Sequence, residues 1–415
     1  MSTLLGNRPL LDLPDSPDEV NLVDRSIHAD FDLSEYWQYM RVEHPVRYHP
    51  PSNGRSGFWV ISRHEDVSRV YKDSDTFSSQ YGNVLDALTT GGDSAGGKML
   101  SLTEGRRHRE VKRTLMSTFS IKGLNSLSDL IRSSAKQLVR ELAEEGGGDF
   151  ALKVAKQIPL QAICELLGVP VEERERIFAL ASSMVASENP DQPFGEAWEA
   201  KNDVLLYFSL LSDQRLNVPT GDIVSKLIGT EGKAINLSKE EVVFNCYSLI
   251  LGGGETTRMA ISGGILALME NPDQWNSYLN GKVDTDKVVD EILRWTSPSM
   301  HLARTALKDV EIGGSKLNKG DVVTVWNVSA NRDESVFDDA NRFLVDRSTN
   351  PHTALGAGSH FCLGSHLARI EIGSVLEAFR ELIDEFKLAG NPRRIYSNFL
   401  GGINHLPLSV KPYSN

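Results

Sequence analysis

The chain has no apolar run long enough to cross a bilayer, no excess of positive charge, and only three cysteines in 415 residues. Each shortage excludes something. A bilayer-spanning helix needs about 20 consecutive apolar residues, and the best candidate stretch is cut short by Gly252-Gly253-Gly254 and Glu255. A formal net charge of −12 argues against a nucleic-acid binder, which must neutralise phosphates. Three cysteines, an odd count, make no disulfide framework, so a reducing compartment is expected. Residues 1–30 have neither a basic start nor an apolar stretch, so neither a signal peptide nor a membrane anchor is expected. A soluble, cytoplasmic monomer is the expectation. No long linker of Pro, Ser or charge divides the chain and no repeat of fixed period is visible, so one domain is expected over 1–415, with 1–30 as an irregular lead-in.

What is present is mostly helical periodicity. Helices are expected over 33–43, 65–71, 104–119, 124–145 and 152–167, and strands over 46–48 and 58–61 around a turn at 51–54. Residues 78–98, rich in Gly, Ser and Thr, read as a long surface loop, and 184–194, broken by Asn189-Pro190 and Pro193, as a connection between helices. The longest pattern opens at Ser238, which forms a capping box with Glu241, and continues to Met269 before Asn271-Pro272 stops it. A helix over 239–270 is about 48 Å long, enough to cross the molecule and bury its own middle. Strands and turns follow Pro298. The expected fold is mainly α with a small β-rich lobe.

Several constellations carry chemistry. Gly356, Gly358 and Gly364 bracket Cys362, and Leu363, Leu367, Ile370, Leu376 and Phe379 follow at helical spacings, so a helix is expected to begin at or beside Cys362. A thiol in that position faces the positive end of the helix dipole, which favours the metal-binding thiolate. Taken alone, such a cysteine is more often a small core residue; Cys164 and Cys246, on apolar helix faces, are read as packing. Three consecutive mid-helix glycines, 252–254, each cost about 1 kcal/mol against alanine, and a flat ligand pressed on the helix would compensate. The cation-rich stretch 104–113 would ordinarily be a solvated face, yet His108 and Lys112, four apart, share one side and can reach one anion together. Glu291 and Arg294, three apart, would ordinarily be a surface pair.

In this order, these segments resemble the cytochrome P450 family. Gly356, Gly358, His360, Cys362 and Gly364 match its haem-ligand pattern Phe-Gly-x-Gly-x-His/Arg-x-Cys-x-Gly in register, with Leu355 in place of the leading Phe. Gly252-Gly253-Gly254-Glu255-Thr256 matches the oxygen-activating signature Ala/Gly-Gly-x-Asp/Glu-Thr. Glu104 and His108 match the propionate clamp, with Lys112 where Arg is usual, and Glu291-x-x-Arg294 matches the Glu-x-x-Arg motif. Its usual partner segment Pro-x-Arg-Phe stands here as Ala340-Asn341-Arg342-Phe343, and Asn331-Arg332-Asp333 also fits the family's wording. The likeness runs from about residue 34 to the C-terminus.

The resemblance implies a P450 fold holding one haem b between the helix from Ser238 and the helix after Cys362. Cys362 would ligate the iron, His108, Lys112, Arg304 and His360 would hold the propionates, and Gly252, Gly253, Leu355, Gly356 and Gly364 would lie against the ring. Glu255 and Thr256 would deliver protons, while Glu291, Arg294 and Arg342 would form a buried structural ion network. The substrate pocket is expected from Val84, Leu85, Met184, Val185, Asn245, Leu249, Met300, Leu302 and Leu400. The implied activity is a haem-thiolate monooxygenase using O2 on a small or medium-sized organic substrate, a natural-product intermediate, with amino-acid derivation as one option. Electrons would come from NAD(P)H through a ferredoxin reductase and a ferredoxin docked near the cysteine. The same haem chemistry can serve coupling, cyclisation or desaturation. Two other classes stay open: a haem-binding sensor without turnover, which has no need of Glu255-Thr256, and a zinc site on His360, Cys362 and His366, which lacks a fourth ligand.

Overall fold

The helix Lys239–Glu270 is built to sit at the centre of the molecule. Ser238 caps it, its side chain accepting from the Glu241 N–H while the Glu241 carboxylate accepts from the Ser238 N–H, and its second half is buried all round, from Thr257 to Leu268. A helix apolar on every side must be enclosed by others, and Gln157–Leu167, Val171–Val185, Phe194–Asn217, Thr285–Thr296 and Ser365–Leu382 all pack on it. The computed structural model describes Pro9 and residues 11–12, 19–52, 54–185, 194–229 and 236–414.

The β structure is small and divided among separate sheets. Five strands pair in the order Val46–His49, Phe58–Ile61, Val322–Trp326, His301–Ala306 and Phe77–Ser78. All contacts are antiparallel except that between Phe58–Ile61 and Val322–Trp326. In the second sheet, Pro407–Pro412 lies between Gly147–Asp149 and Ile383–Leu388. The glycines at 146–148 feed a strand: all three have positive φ, and a Cβ on Gly147 would strike the Leu408 carbonyl oxygen.

Most expected helices lie within a residue or two of their reading: Ser34–Glu43, His64–Lys72, Gly105–Phe119 and Asn125–Glu144. Two readings need correction. The pattern over 152–167 is two segments, a wide π turn Ala151–Ala155 followed by the helix Gln157–Leu167. The stretch 78–98 is not plain loop: it holds a short helix, Leu85–Thr89, whose Leu85 is fully buried. Of the connection expected over 184–194, residues 186–193 lie outside the described residues. No helix among the described residues is long and apolar enough to cross a membrane.

Candidate functional site

The loop ahead of Cys362 is shaped by residues that do not touch the sulfur. Gly356 and Gly358 adopt φ of 66° and 69°, and a Cβ on Gly358 would come within 2.7 Å of the Tyr71 carbonyl oxygen, so only glycine fits there. Thr353 anchors the loop: its N–H donates to Asn331 Oδ1 at 2.7 Å, and its hydroxyl lies 2.9 Å from Asn327 Oδ1, which also accepts from the Tyr71 hydroxyl. The Cys362 N–H then donates to the Leu355 carbonyl at 2.9 Å.

The helix expected at the cysteine starts three residues later, as Ser365–Leu382 with Gly364 at its N-cap. Cys362 therefore lies before the helix, and burial pushes its thiol up, outweighing the Gly364 backbone hydrogen bond and the nearby Arg369 and Lys112 charges. The dipole alone does not make it a thiolate.

Cys362 opens onto a cavity of about 310 Å³ between Lys239–Glu270 and Ser365–Leu382. The cavity brings together His108, Lys112, Asn245, Leu249, Gly252, Gly253, Thr256, Leu302, Arg304, Leu355, Gly356, His360, Cys362 and Gly364, all expected from sequence. Only one of the three mid-helix glycines faces open space. A Cβ on Gly252 would meet nothing within 4 Å, whereas one on Gly253 would meet Ile163 at 2.9 Å and one on Gly254 would meet Phe178 at 2.4 Å. Two of the three thus seat neighbouring helices.

Cationic side chains gather at one edge. His108 and Lys112 project from the helix Gly105–Phe119, Arg304 shares a strand face with Leu302, and the rings of His108 and His360 lie 4.4 Å apart. His360 Nε2 pairs with Glu104 at 3.0 Å. Burial pulls the Glu104 carboxyl up, but the His360 hydrogen bond and the Ser79 N–H and hydroxyl together hold it down at about 2. Desolvation, then the neighbouring His360 and Lys112, lower His108 to about 4. Lys112 Nζ donates to the carbonyls of Ser359, at 2.5 Å, and Phe361. Arg304, only 3% exposed, has its charge disfavoured by burial, a penalty that a facing anion would relieve.

Thr256 lines the cavity and its hydroxyl donates to the Gly252 carbonyl at 2.8 Å. Glu255 does not line it. Its carboxylate is turned away, accepting from the Ser182 hydroxyl at 2.6 Å and pairing with Arg258 at 3.3 Å, and Arg258 is held in turn by Asn404. Ser182, Arg258 and Asn404 escaped sequence reading because they come from three distant segments; only Arg258, one helical turn from Glu255, left a spacing signal. Glu371 is a further unread residue: it lines the cavity, fully buried, and desolvation raises its carboxyl well above the usual range.

The rest of the expected set is placed elsewhere. Leu85 and Met300 belong to a separate core with Trp37 and Trp326, Leu400 packs with Met259 and Ile395, and Met184 lies against the main core. Val84 caps the short helix Leu85–Thr89 and is not in the cavity wall; the side chain of Val185 lies outside the described residues. The helix Leu85–Thr89 and the turn at Leu400 carry these side chains into packing. Glu291 and Arg294 do form a fully buried pair at 2.7 Å, but Arg342 is not its partner. The Arg342 guanidinium reaches out to Asp339, and Arg347 takes the place, its Nε donating to Glu291 Oε2 at 3.1 Å. Among the described residues no group of three or more His, Cys, Asp or Glu could hold a metal ion, which leaves the zinc alternative without a ligand set.

The family described as Cytochrome P450 matches residues 285–400, which span Glu291, Arg294, Arg347 and Cys362. Over 406 residues the chain is 41% identical to cytochrome P450 NovI of Streptomyces niveus, covering 98% of this chain and 100% of that one. The chain belongs to the cytochrome P450 family. It is an oxidoreductase of the monooxygenase type. This P450 is also 33% identical to a steroid C26-monooxygenase of Rhodococcus jostii, over 99% of its own length and 88% of the relative's. The crystal structure of the P450 OxyD, involved in the biosynthesis of vancomycin-type antibiotics, superposes with a TM-score of 0.86 at 31% identity, covering 95% and 100% of the two chains.

The residues fit a haem. A single thiol opens onto a cavity between two helices, Gly252 and Gly364 leave room where any Cβ would meet nothing within 4 Å, and buried Arg304 with Lys112 lines the wall. Sulfur to iron and cations to propionates is a matching donor set.

Proposed function

We propose that this P450 binds haem b through Cys362, with Arg304, Lys112, His108 and His360 at the propionates, and oxidises a natural-product intermediate held on the Asn245–Thr256 face of the central helix. The single observation behind the reading is the placement of Cys362, Thr256 and the Arg304–Lys112 edge around one cavity. Bound haem supplies the activation of dioxygen and the oxidation of a substrate C–H bond.

The chain's own part is to exclude water and manage protons. Leu249, Leu302, Ile163 and Leu355 make an apolar wall. Thr256, fixed by its bond to Gly252, presents hydroxyl lone pairs to the cavity, and Glu255, one residue before it, can exchange protons with the Ser182 hydroxyl behind the helix. Two acids, Glu255 and Glu371, therefore flank the Thr256–Thr257 pair from different elements.

Electrons would reach the site from NAD(P)H through a ferredoxin reductase and a ferredoxin, the chain acting as a cytoplasmic monomer. Phe361, 43% exposed beside Cys362, and the exposed Arg109 and Arg113 offer an apolar and basic surface for an acidic carrier. The likeness to OxyD, whose structure is tied to antibiotic biosynthesis, supports the natural-product reading.

The test is the carbon monoxide difference spectrum of the reduced protein beside a Cys362→Ser control. A strongly red-shifted Soret band that disappears in the control is the expected result. Well-folded protein that takes up no haem would overturn the assignment.

A further inference from the structure

We propose that the substrate of this cytochrome P450 carries no free carboxylate, any acid function being masked as an ester, thioester or amide, and that the Ser248 and Ser299 hydroxyls receive its neutral polar groups. The inference rests on the haem reading above and deepens it.

The argument is one of charge. Among the described residues lining the cavity, the permanent cations are Lys112 and Arg304, and the two histidines are His108 and His360. His360 is committed to Glu104, at 3.0 Å, and the rings of His108 and His360 share the same edge. Haem b brings two propionates, which Lys112 and Arg304 match one for one. Among the described lining residues a third carboxylate would find no countercharge. An ionised carboxylate moved from water into an apolar cavity without a partner protonates or stays out.

The uncharged polar groups point the same way. Asn245 looks available but is not: its Oδ1 accepts from the Leu100 N–H at 2.9 Å, and its amide donates to the Lys98 and Glu241 carbonyls. Ser248, one turn along the same helix face, and Ser299, just before the strand His301–Ala306, line the cavity with hydroxyls that make no hydrogen bond among the described residues. A hydroxyl both donates and accepts, so it suits a carbonyl, amide or alcohol; toward a carboxylate it can donate a hydrogen bond but brings no countercharge. Leu100, Leu249, Leu302 and Pro298 between them require an apolar body.

The test uses matched triplets of acid, methyl ester and primary amide on phenylpropanoyl, decanoyl and N-acetyltyrosyl bodies. Binding to the haem-loaded protein is followed by Soret perturbation and by calorimetry. The expected result is that ester and amide bind at least about tenfold tighter than the matching acid. Ser248→Lys, which places a cation on that helix face, is expected to reverse the ranking, and Ser299→Ala to weaken the amide against the ester. Equal or tighter binding of the acids by haem-loaded wild type overturns this inference and leaves the proposed function standing. Failure to bind haem overturns both, since Lys112 and Arg304 would then be free to take a substrate acid.

Discussion

The Arg347 Nε donates to Glu291 Oε2 at 3.1 Å, and through this contact Arg347 shares the buried Glu291 carboxylate with Arg294. Glu291 also accepts from the Leu344 N–H and the Asn350 amide, so one carboxylate ties the helix Thr285–Thr296 to the irregular segment that leads to the cysteine loop. Arg294 completes the tie by donating to the carbonyls of Asn331, Ala340 and Arg342.

Substitutions on this carboxylate should separate the two arginines. Arg347→Ala removes a nearly buried partner of Glu291, leaves the carbonyls of Asp338 and Asp339 without this donor and that of Arg342 with Arg294 alone, a loss of about 2–4 kcal/mol. Arg342→Ala, at an exposed side chain, should change stability by no more than about 0.5 kcal/mol. Urea denaturation of the two variants measures both; equal losses would contradict the network.

The glycines at 252–254 should differ by position. Gly254→Ala drives a Cβ into Phe178, and overpacking of this kind costs about 1–3 kcal/mol. Gly252→Ala meets no protein atom and should stabilise the haem-free chain by up to about 1 kcal/mol while weakening haem uptake. Thermal melts with and without haem read both effects.

Acid should unfold the haem-free protein in two overlapping stages. The His108 value in the folded chain, about 4, lies below its ordinary 6.5, so the unfolded chain binds the extra proton first and stability falls as pH drops from 6.5 towards 4. Glu104, held at about 2 against an ordinary 4.5, contributes stability above 4.5 that is lost as pH falls towards 2. His108→Asn should flatten the first window and Glu104→Gln the second, measured as urea midpoints across pH. Unchanged slopes in both variants would contradict these assignments.

Ser182 should matter to proton supply although it lies outside the cavity wall. Ser182→Ala removes the hydroxyl 2.6 Å from Glu255 Oε1. Less product per electron pair, more hydrogen peroxide and an altered solvent isotope effect are expected, with Ser182→Thr restoring the wild-type values. Glu255→Gln in the same assay should act in the same direction, and an effect there without one in Ser182→Ala would confine the relay to Glu255.

The features legible in the sequence were those carried by short spacings. The capping box at Ser238–Glu241, the glycines around Cys362, the i, i+4 pair His108–Lys112 and the i, i+3 pair Glu291–Arg294 each depend on local geometry, which backbone sterics and helical periodicity impose whatever lies beyond. Together they located the cysteine loop, the central helix and part of the cavity wall. What only the tertiary structure decided depends on contacts between segments tens to hundreds of residues apart. Arg347 rather than Arg342 reaches Glu291 because Arg342 faces outward while Arg347 folds back over its own segment. Glu255 faces Ser182 and Arg258, Gly253 and Gly254 serve packing, and Met300 and Leu400 join other cores. Such choices are set by which surfaces meet when helices pack, and a linear spacing holds no record of that rotation.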